Sequence, residues 1–180
     1  GRQPWPELND AYSFPEEERK MQGVMEIIRS IRNLRSEMNV GSVFRTADAF
    51  VINHIALCGI TATTPRQEIH KTALGAEDTV SWSYHKTAVE SIEMLRKQGY
   101  TICSIEQVHG SVSLEKFTID EHKKYALVLG NEVKGVSQAV VDKSDFCIEL
   151  PQYGTKHSLN ISCTAAIVMW HFFNHLKLIN

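Results

Sequence analysis

Apolar positions along this chain repeat with two periods in turn, and the alternation predicts short strands separated by helices. The clearest helical stripe is Ile161, Ala165, Val168, Phe172 and Leu176, spaced by three and four residues. Ser158 stands ahead of it as an N-cap, where a hydroxyl accepts from a free backbone N–H. A second stripe, Val43, Phe44, Ala47 and Phe50, predicts a helix within Asn39–Asn53, with Asn39 or Ser42 near its cap. Val89, Ile92 and Leu95 predict a third within Thr87–Gln98, stopped by Gly99. Glu68–Ala76 reads as a short helix ended by Gly75, and Ser137 opens another through Val141. Between these lie strand-like runs at His54–Gly59, Tyr100–Ile105, Tyr125–Leu129 and Phe146–Leu150, the last closed by Pro151. Tyr125–Leu129 is apolar throughout, as in a parallel strand covered on both faces.

Upstream, the stretch from Pro15 carries acidic residues early and basic ones late, which suits a helix dipole. Met21, Met25, Ile28, Ile31 and Leu34 fall roughly on one face of that helix, and a strand at Ile27–Ile31 is the competing local reading. Residues 1–32 are therefore read as an N-terminal helical appendage and residues 33–180 as one domain.

Strands alternating with helices predict an α/β fold with a mostly parallel sheet, whose ligands bind outside the carboxyl ends of the strands. Two polar, glycine-containing segments fall there: Gly130–Gly135 and Pro151–Asn160. Composition narrows the picture only a little. The chain has 180 residues, is 43% hydrophobic and 22% charged, and carries a net charge of -2. That balance announces no global field for nucleic acid, so an RNA partner would need a local basic patch. The cysteines, Cys58, Cys103, Cys147 and Cys163, sit in apolar runs without metal spacing and read as buried thiols of a cytoplasmic protein. No apolar stretch is long enough to span a membrane. His171 and His175, four apart on the last helix, have no evident third ligand, and no metal is expected. Neither a dinucleotide-binding fingerprint nor a Walker loop nor a nucleophile elbow occurs. Arg66 and Lys71 are candidate phosphate contacts; solvated surface charge is the competing reading.

Three further stretches carry a resemblance. They are NVGSVFRTADAF at Asn39–Phe50, LVLGNEVKGVS at Leu127–Ser137 and IELPQYGTKHSLNIS at Ile148–Ser162. In that order, with GITATTPRQEIHKTALGAEDTVSW between the first two, they resemble the SpoU (TrmH-like) class of SPOUT RNA methyltransferases over about residues 33–173. Residues 5–40 also resemble a helical segment of valyl-tRNA synthetases, through IRSIRNLRSEMNV.

The first resemblance implies a parallel sheet between helices whose C-terminal part is threaded into a trefoil knot, holding S-adenosylmethionine. Gly130, Leu150 and Leu159 would line that pocket, with Leu129, Asn131, Gly154 and Ser162 as further candidates. It implies a homodimer in which Arg45 of one subunit reaches the pocket of the other, and methyl transfer to a ribose 2′-OH in tRNA or rRNA. An arginine there stabilises a developing alkoxide rather than removing its proton. Asn39 and Glu132 would position Arg45 or the nearby backbone; Ser158 and Asn160 would orient the ribose or the knot loop; Arg66 and Lys71 would meet the RNA. Gln152 stands where many relatives have Met, and Trp170-His171-Phe172 where many carry an acidic residue and an arginine. The alternatives are a catalytically silent, knotted RNA-binding or assembly module, and methylation of a base. Arg45, Glu132 and Asn160 together argue against the first, and Ser158-Leu159-Asn160 with Arg45 against the second.

Overall fold

A strand packed on both faces must be apolar at every position, and such runs build the middle of this sheet. The computed structural model describes residues 25–29, 34–131, 134–155 and 158–176, with backbone alone at 25–29 and 34–36. The strands are β1 (Met25–Arg29), β2 (His54–Cys58), β3 (Ser81–His85), β4 (Tyr100–Ile105), β5 (Val112–Ser113), β6 (Lys124–Leu129) and β7 (Phe146–Glu149). They form one seven-stranded sheet in the order β3-β2-β1-β6-β4-β7-β5. Every neighbouring pair is parallel, so all carboxyl ends lie along one edge. The helices are α1 (Leu34–Ala49), α2 (Gln67–Ala73), α3 (Ala76–Thr79), α4 (Ala88–Lys97), α5 (Gln138–Val141) and α6 (Ile161–His175).

The two faces follow from the alternation of side chains along the strands. Ile55, Leu57, Cys103, Ile105, Tyr125, Leu127 and Leu129 pack into one core with α1, α2 and α6. Ala56, Cys58, Ile102, Ala126 and Val128 face the other way, against Ile92 and Leu95 of α4 and Val140 of α5. In the first core Tyr125 meets Phe172 of α6 edge to face, with ring centroids 5.2 Å apart.

Several expectations are corrected. Residues 25–29 are a strand between β2 and β6, not part of a helical appendage, so the sheet begins upstream of the boundary expected at residue 33. The first part of the helix expected from Pro15 onward, up to residue 24, lies outside the described residues, as does most of the synthetase-like stretch. α1 starts before Asn39 and Ser42, so neither caps it; Asn39 is buried within the helix. The N-cap of α6 is Asn160, not Ser158, and its side chain accepts from the Ser162 N–H. Thr87 caps α4 through a capping box closed by Glu90. Cys58 and Cys103 are buried, but Cys147 is only partly so and Cys163 is exposed. No pattern in the sequence marked β3, an edge strand in which serines alternate with Trp82 and Tyr84.

α1 lies very close to α2 because of Gly41, where a Cβ would collide with the Ile69 carbonyl and the Thr72 side chain. The Thr72 hydroxyl instead donates to the Met38 carbonyl at 2.9 Å, tying the two helices together.

Candidate functional site

β6 ends at the buried Leu129, and the chain turns at once through a tight hairpin. Asn131 N–H donates to the Gly135 carbonyl at 3.0 Å, and Gly135 N–H donates back to the Asn131 carbonyl at 2.8 Å. The Asn131 side-chain oxygen accepts from Lys134 N–H at 3.1 Å. Gly130 is required: a Cβ there would run into the backbone of Gly135 and Val136. Gly135 is required for a second reason, since its φ of 65° lies in the left-handed region.

Glu106, at the end of β4, holds this hairpin. Its Oε2 accepts from Val136 N–H at 2.6 Å, and its Oε1 from Gln107 N–H at 3.1 Å. A Cβ on Gly135 would meet that carboxylate. The sequence reading did not single out Glu106; its one signal was an acidic residue directly after an apolar strand. Glu132 and Val133 lie outside the described residues.

The second strand-end segment follows β7. Leu150 packs partly buried against the main core, while residues 151–155 and 158–160 are exposed. Lys156 and His157 lie outside the described residues. Residues 150–155, 158 and 159 make no backbone hydrogen bond to other described residues. At the far end Asn160 closes the segment in two ways. Its oxygen accepts from the Ser162 N–H and hydroxyl at 2.8 and 2.6 Å. Its Nδ2 donates to Asn39 Oδ1 of α1 at 3.2 Å, across 121 residues of sequence. The first and third motifs therefore meet where α1 passes the start of α6.

Arg45 is exposed on α1, and no hydrogen bond or ion pair joins it to other described residues. Ser158 and Leu159 are exposed, and Ser162 is partly buried beside the Asn160 cap. Arg66 and Lys71 are both paired with carboxylates, Arg66 with Glu37 at 2.7 Å and Lys71 with Glu68 at 2.6 Å.

Two clefts open along this side of the sheet. One, of about 520 Å³, includes Leu129, Gly130 and Asn131, with Lys86 and Lys134 at its rim; Leu150, Gly154, Leu159 and Ser162 do not line it. The other, of about 580 Å³, takes in Arg66 but not Lys71. Gly59 and Ile60 line both.

Titratable groups near the sheet are tuned by burial. Burial pushes the Cys103 thiol up to about 12, reinforced by Asp145 and then Cys147, so it is no nucleophile. Burial lowers His54, and the neighbouring His85 lowers it further. Among the described residues, no cluster of three His, Cys, Asp or Glu side chains could hold a metal ion, and no helix is long and apolar enough to cross a membrane.

Comparison with known proteins identifies the relatives of this arrangement. The SpoU rRNA Methylase family is matched over residues 27–170, from inside β1 to the last turns of α6. The chain belongs to this family. A Staphylococcus aureus (strain COL) protein assigned to the TrmH family of tRNA/rRNA methyltransferases is 26% identical over 93% of this SpoU-family chain. The chain spans 66% of that relative's length. Among solved structures, an AdoMet-bound rRNA methyltransferase from Sinorhizobium meliloti superposes with a TM-score of 0.77 at 24% identity, covering 88% of this chain and 60% of the other. An RNA 2′-O ribose methyltransferase superposes with a TM-score of 0.75 at 16% identity, covering 97% and 62%. At those identities the likeness to the solved structures is one of fold. The family match begins at residue 27, so it takes in the last three residues of β1 along with the rest of the sheet.

Proposed function

We propose that this chain is the catalytic part of an S-adenosylmethionine-dependent methyltransferase that methylates a ribose 2′-OH in tRNA or rRNA, as a homodimer in the cytoplasm. Membership of the SpoU family supports the reaction class. The fold shared with proteins described as an AdoMet-bound rRNA methyltransferase and as an RNA 2′-O ribose methyltransferase supports the donor and the acceptor. The bond between Asn39 and Asn160 carries the reading, because it draws two distant motifs together at the strand-end edge of the sheet.

The segment after β7 suits the donor chemically. Leu150 offers an apolar wall, and the backbone amides and carbonyls of residues 150–155, 158 and 159, which make no backbone hydrogen bond to other described residues, would meet the edges of an adenine and a ribose. Leu129, Gly130 and Asn131 would border the same pocket, with Gly154, Leu159 and Ser162 completing it, and the C-terminal part would be threaded as a trefoil knot. The unit would span residues 33–180 together with β1.

Bound S-adenosylmethionine would supply a methyl group already activated on a sulfonium. The protein's own task is then to align the 2′-oxygen and to favour its loss of a proton. Arg45 would stabilise the developing negative charge in the site of the partner subunit, a role its exposure on α1 suits. Asn39 would hold Asn160 so that Ser158 and Asn160 orient the ribose. Glu132 would position Arg45 or the local backbone, and Arg66 and Lys71 would meet the RNA.

The test is transfer from labelled S-adenosylmethionine to total cellular RNA lacking the modification, followed by digestion to nucleosides. A 2′-O-methylnucleoside is expected, and size fractionation of the RNA would separate tRNA from rRNA. A base-methylated product would overturn the choice of ribose. No product from a dimer that binds the cofactor would favour the silent module.

A further inference from the structure

The cleft of about 580 Å³ beside β3 shares only Arg66 with the residues assigned above, and the rest of its lining has as yet no role. Trp82 and Tyr84 are two residues apart on β3, so both rings lie on one face of an edge strand. Trp82 is partly buried and packed against the main core, which fixes its ring. Tyr84 is 49% exposed. Its hydroxyl donates to the Gly59 carbonyl at 2.6 Å, pinning the ring beside the loop after β2.

Arg66, whose side chain is 55% exposed, lines the same cleft. Glu37 holds it at 2.7 Å from a site where its own side chain is only 13% exposed. Two immobilised aromatic rings, a planar guanidinium and a carboxylate acceptor form a set that matches a flat heterocycle with donors and acceptors on its edge. The cleft also adjoins the one that contains Gly130 and Asn131, through Gly59 and Ile60, and Lys86 and Lys134 stand on the rim of that second cleft. Aromatic platforms next to a cationic path are how proteins hold single-stranded nucleic acid.

We propose that this cleft binds an unpaired nucleobase of the RNA substrate, flanking the nucleotide that is methylated, with the base stacked on Trp82 and Tyr84 and its edge read by Arg66 and Glu37. The proposal rests on the RNA methyltransferase reading. The base must be unpaired because the faces of paired bases are closed by stacking inside an A-form helix.

The test uses the full chain. A short single-stranded RNA carrying 4-thiouridine is crosslinked to it by ultraviolet light and the adduct mapped by mass spectrometry. Crosslinks are expected at Trp82 or Tyr84, competed by excess single strand but not by duplex. In methyl transfer to total RNA, Trp82→Ala should raise the KM for RNA roughly tenfold, the loss expected of one base–aromatic stack, with a much smaller fall in kcat. Trp82→Phe should recover most of the affinity, and Arg66→Met should raise KM by less. S-adenosylmethionine affinity reports folding; if Trp82→Ala loses it, Trp82→Phe and the crosslink map decide. An unchanged KM in folded Trp82→Ala, or crosslinks confined to other surfaces, overturns the cleft while leaving wild-type methylation and the functional reading in place. No RNA binding by the unaltered chain overturns both.

Discussion

Arg45 and Gly130 are single positions whose chemistry is decided by what surrounds them. Arg45 is exposed on α1 while Val43, Phe44 and Ala47 around it are buried, so its side chain is spared for a role outside its own core. Arg45→Ala is expected to abolish methyl transfer while S-adenosylmethionine affinity, measured by calorimetry, stays at the wild-type level. Full activity in that variant would remove Arg45 from the mechanism. Gly130 is fixed by space: a Cβ there would overlap the Gly135–Val136 backbone, which cannot step aside as a flexible side chain can. Gly130→Ala should force the hairpin open, lower stability by about 1–3 kcal/mol and weaken cofactor binding at least tenfold. Unchanged affinity with unchanged stability would show that the hairpin tolerates a methyl group. Arg45 was legible in the sequence as a cation off an apolar stripe. Glu106 was not, because only the fold brings the end of β4 against the turn after β6.

The start of α6 shows how an element takes its boundaries from its neighbours. Ser158 and Asn160 are both good cap residues, and local preference does not separate them. Asn160 is the cap because its oxygen accepts from Ser162 while its amide donates to Asn39 on α1. Asn160→Ala should cost about 1 kcal/mol for the cap alone, and more for the lost tie to α1, read as a lower urea midpoint. Asn160→Asp keeps the cap acceptor and removes the donor to Asn39. It should restore most of the stability but not methyl transfer, if the tie serves the site. Equal activity in both proteins would make the tie structural only. β1 is the opposite case. The charge gradient of the stretch from Pro15 suits a helix and a strand at Ile27–Ile31 is the competing local reading; the slot between β2 and β6 supplies two parallel partners, and that tertiary pairing decides for the strand.

For the whole molecule, the proposed exchange of Arg45 between subunits makes a prediction that no single chain can meet. Mixed with a variant defective in its own cofactor pocket, such as Gly130→Ala, Arg45→Ala protein should regain activity. Random pairing leaves one intact site in half the dimers, so about a quarter of wild-type activity should return, provided that both variants fold. Two inactive variants that stay inactive when mixed, while forming mixed dimers, would place Arg45 in its own subunit's site. Acid stability is a second property of the whole fold. Burial would raise the Glu77 carboxyl, but hydrogen bonds from its own N–H, His70 and the Gly75 N–H outweigh it and hold it below its usual value. A carboxyl lowered by folding contributes stability that is complete above its unfolded value near 4.5 and is lost as pH falls through the lower folded value. Glu77→Gln should therefore flatten that part of the acid unfolding curve, followed by circular dichroism. An unaltered curve would show that Glu77 carries no such linkage.

The order of strands and helices from residue 54 onward was largely written in the spacing of apolar residues. An all-apolar run such as Tyr125–Leu129 is stable only between two packed faces, and a stripe such as Ile161–Leu176 only against a core. The polar, glycine-containing segment after β6 was legible as a strand-end segment, but its tight hairpin closure was seen only in the fold. What the sequence by itself did not determine was pairing over distance. The place of β1 at the middle of the sheet, the edge strand β3 with its two rings in one cleft, the Glu106 clamp and the meeting of Asn39 with Asn160 each depend on residues that are remote in the chain. Their partners are chosen by how the sheet is ordered, and that order is set by packing both faces at once rather than by the preference of any one segment.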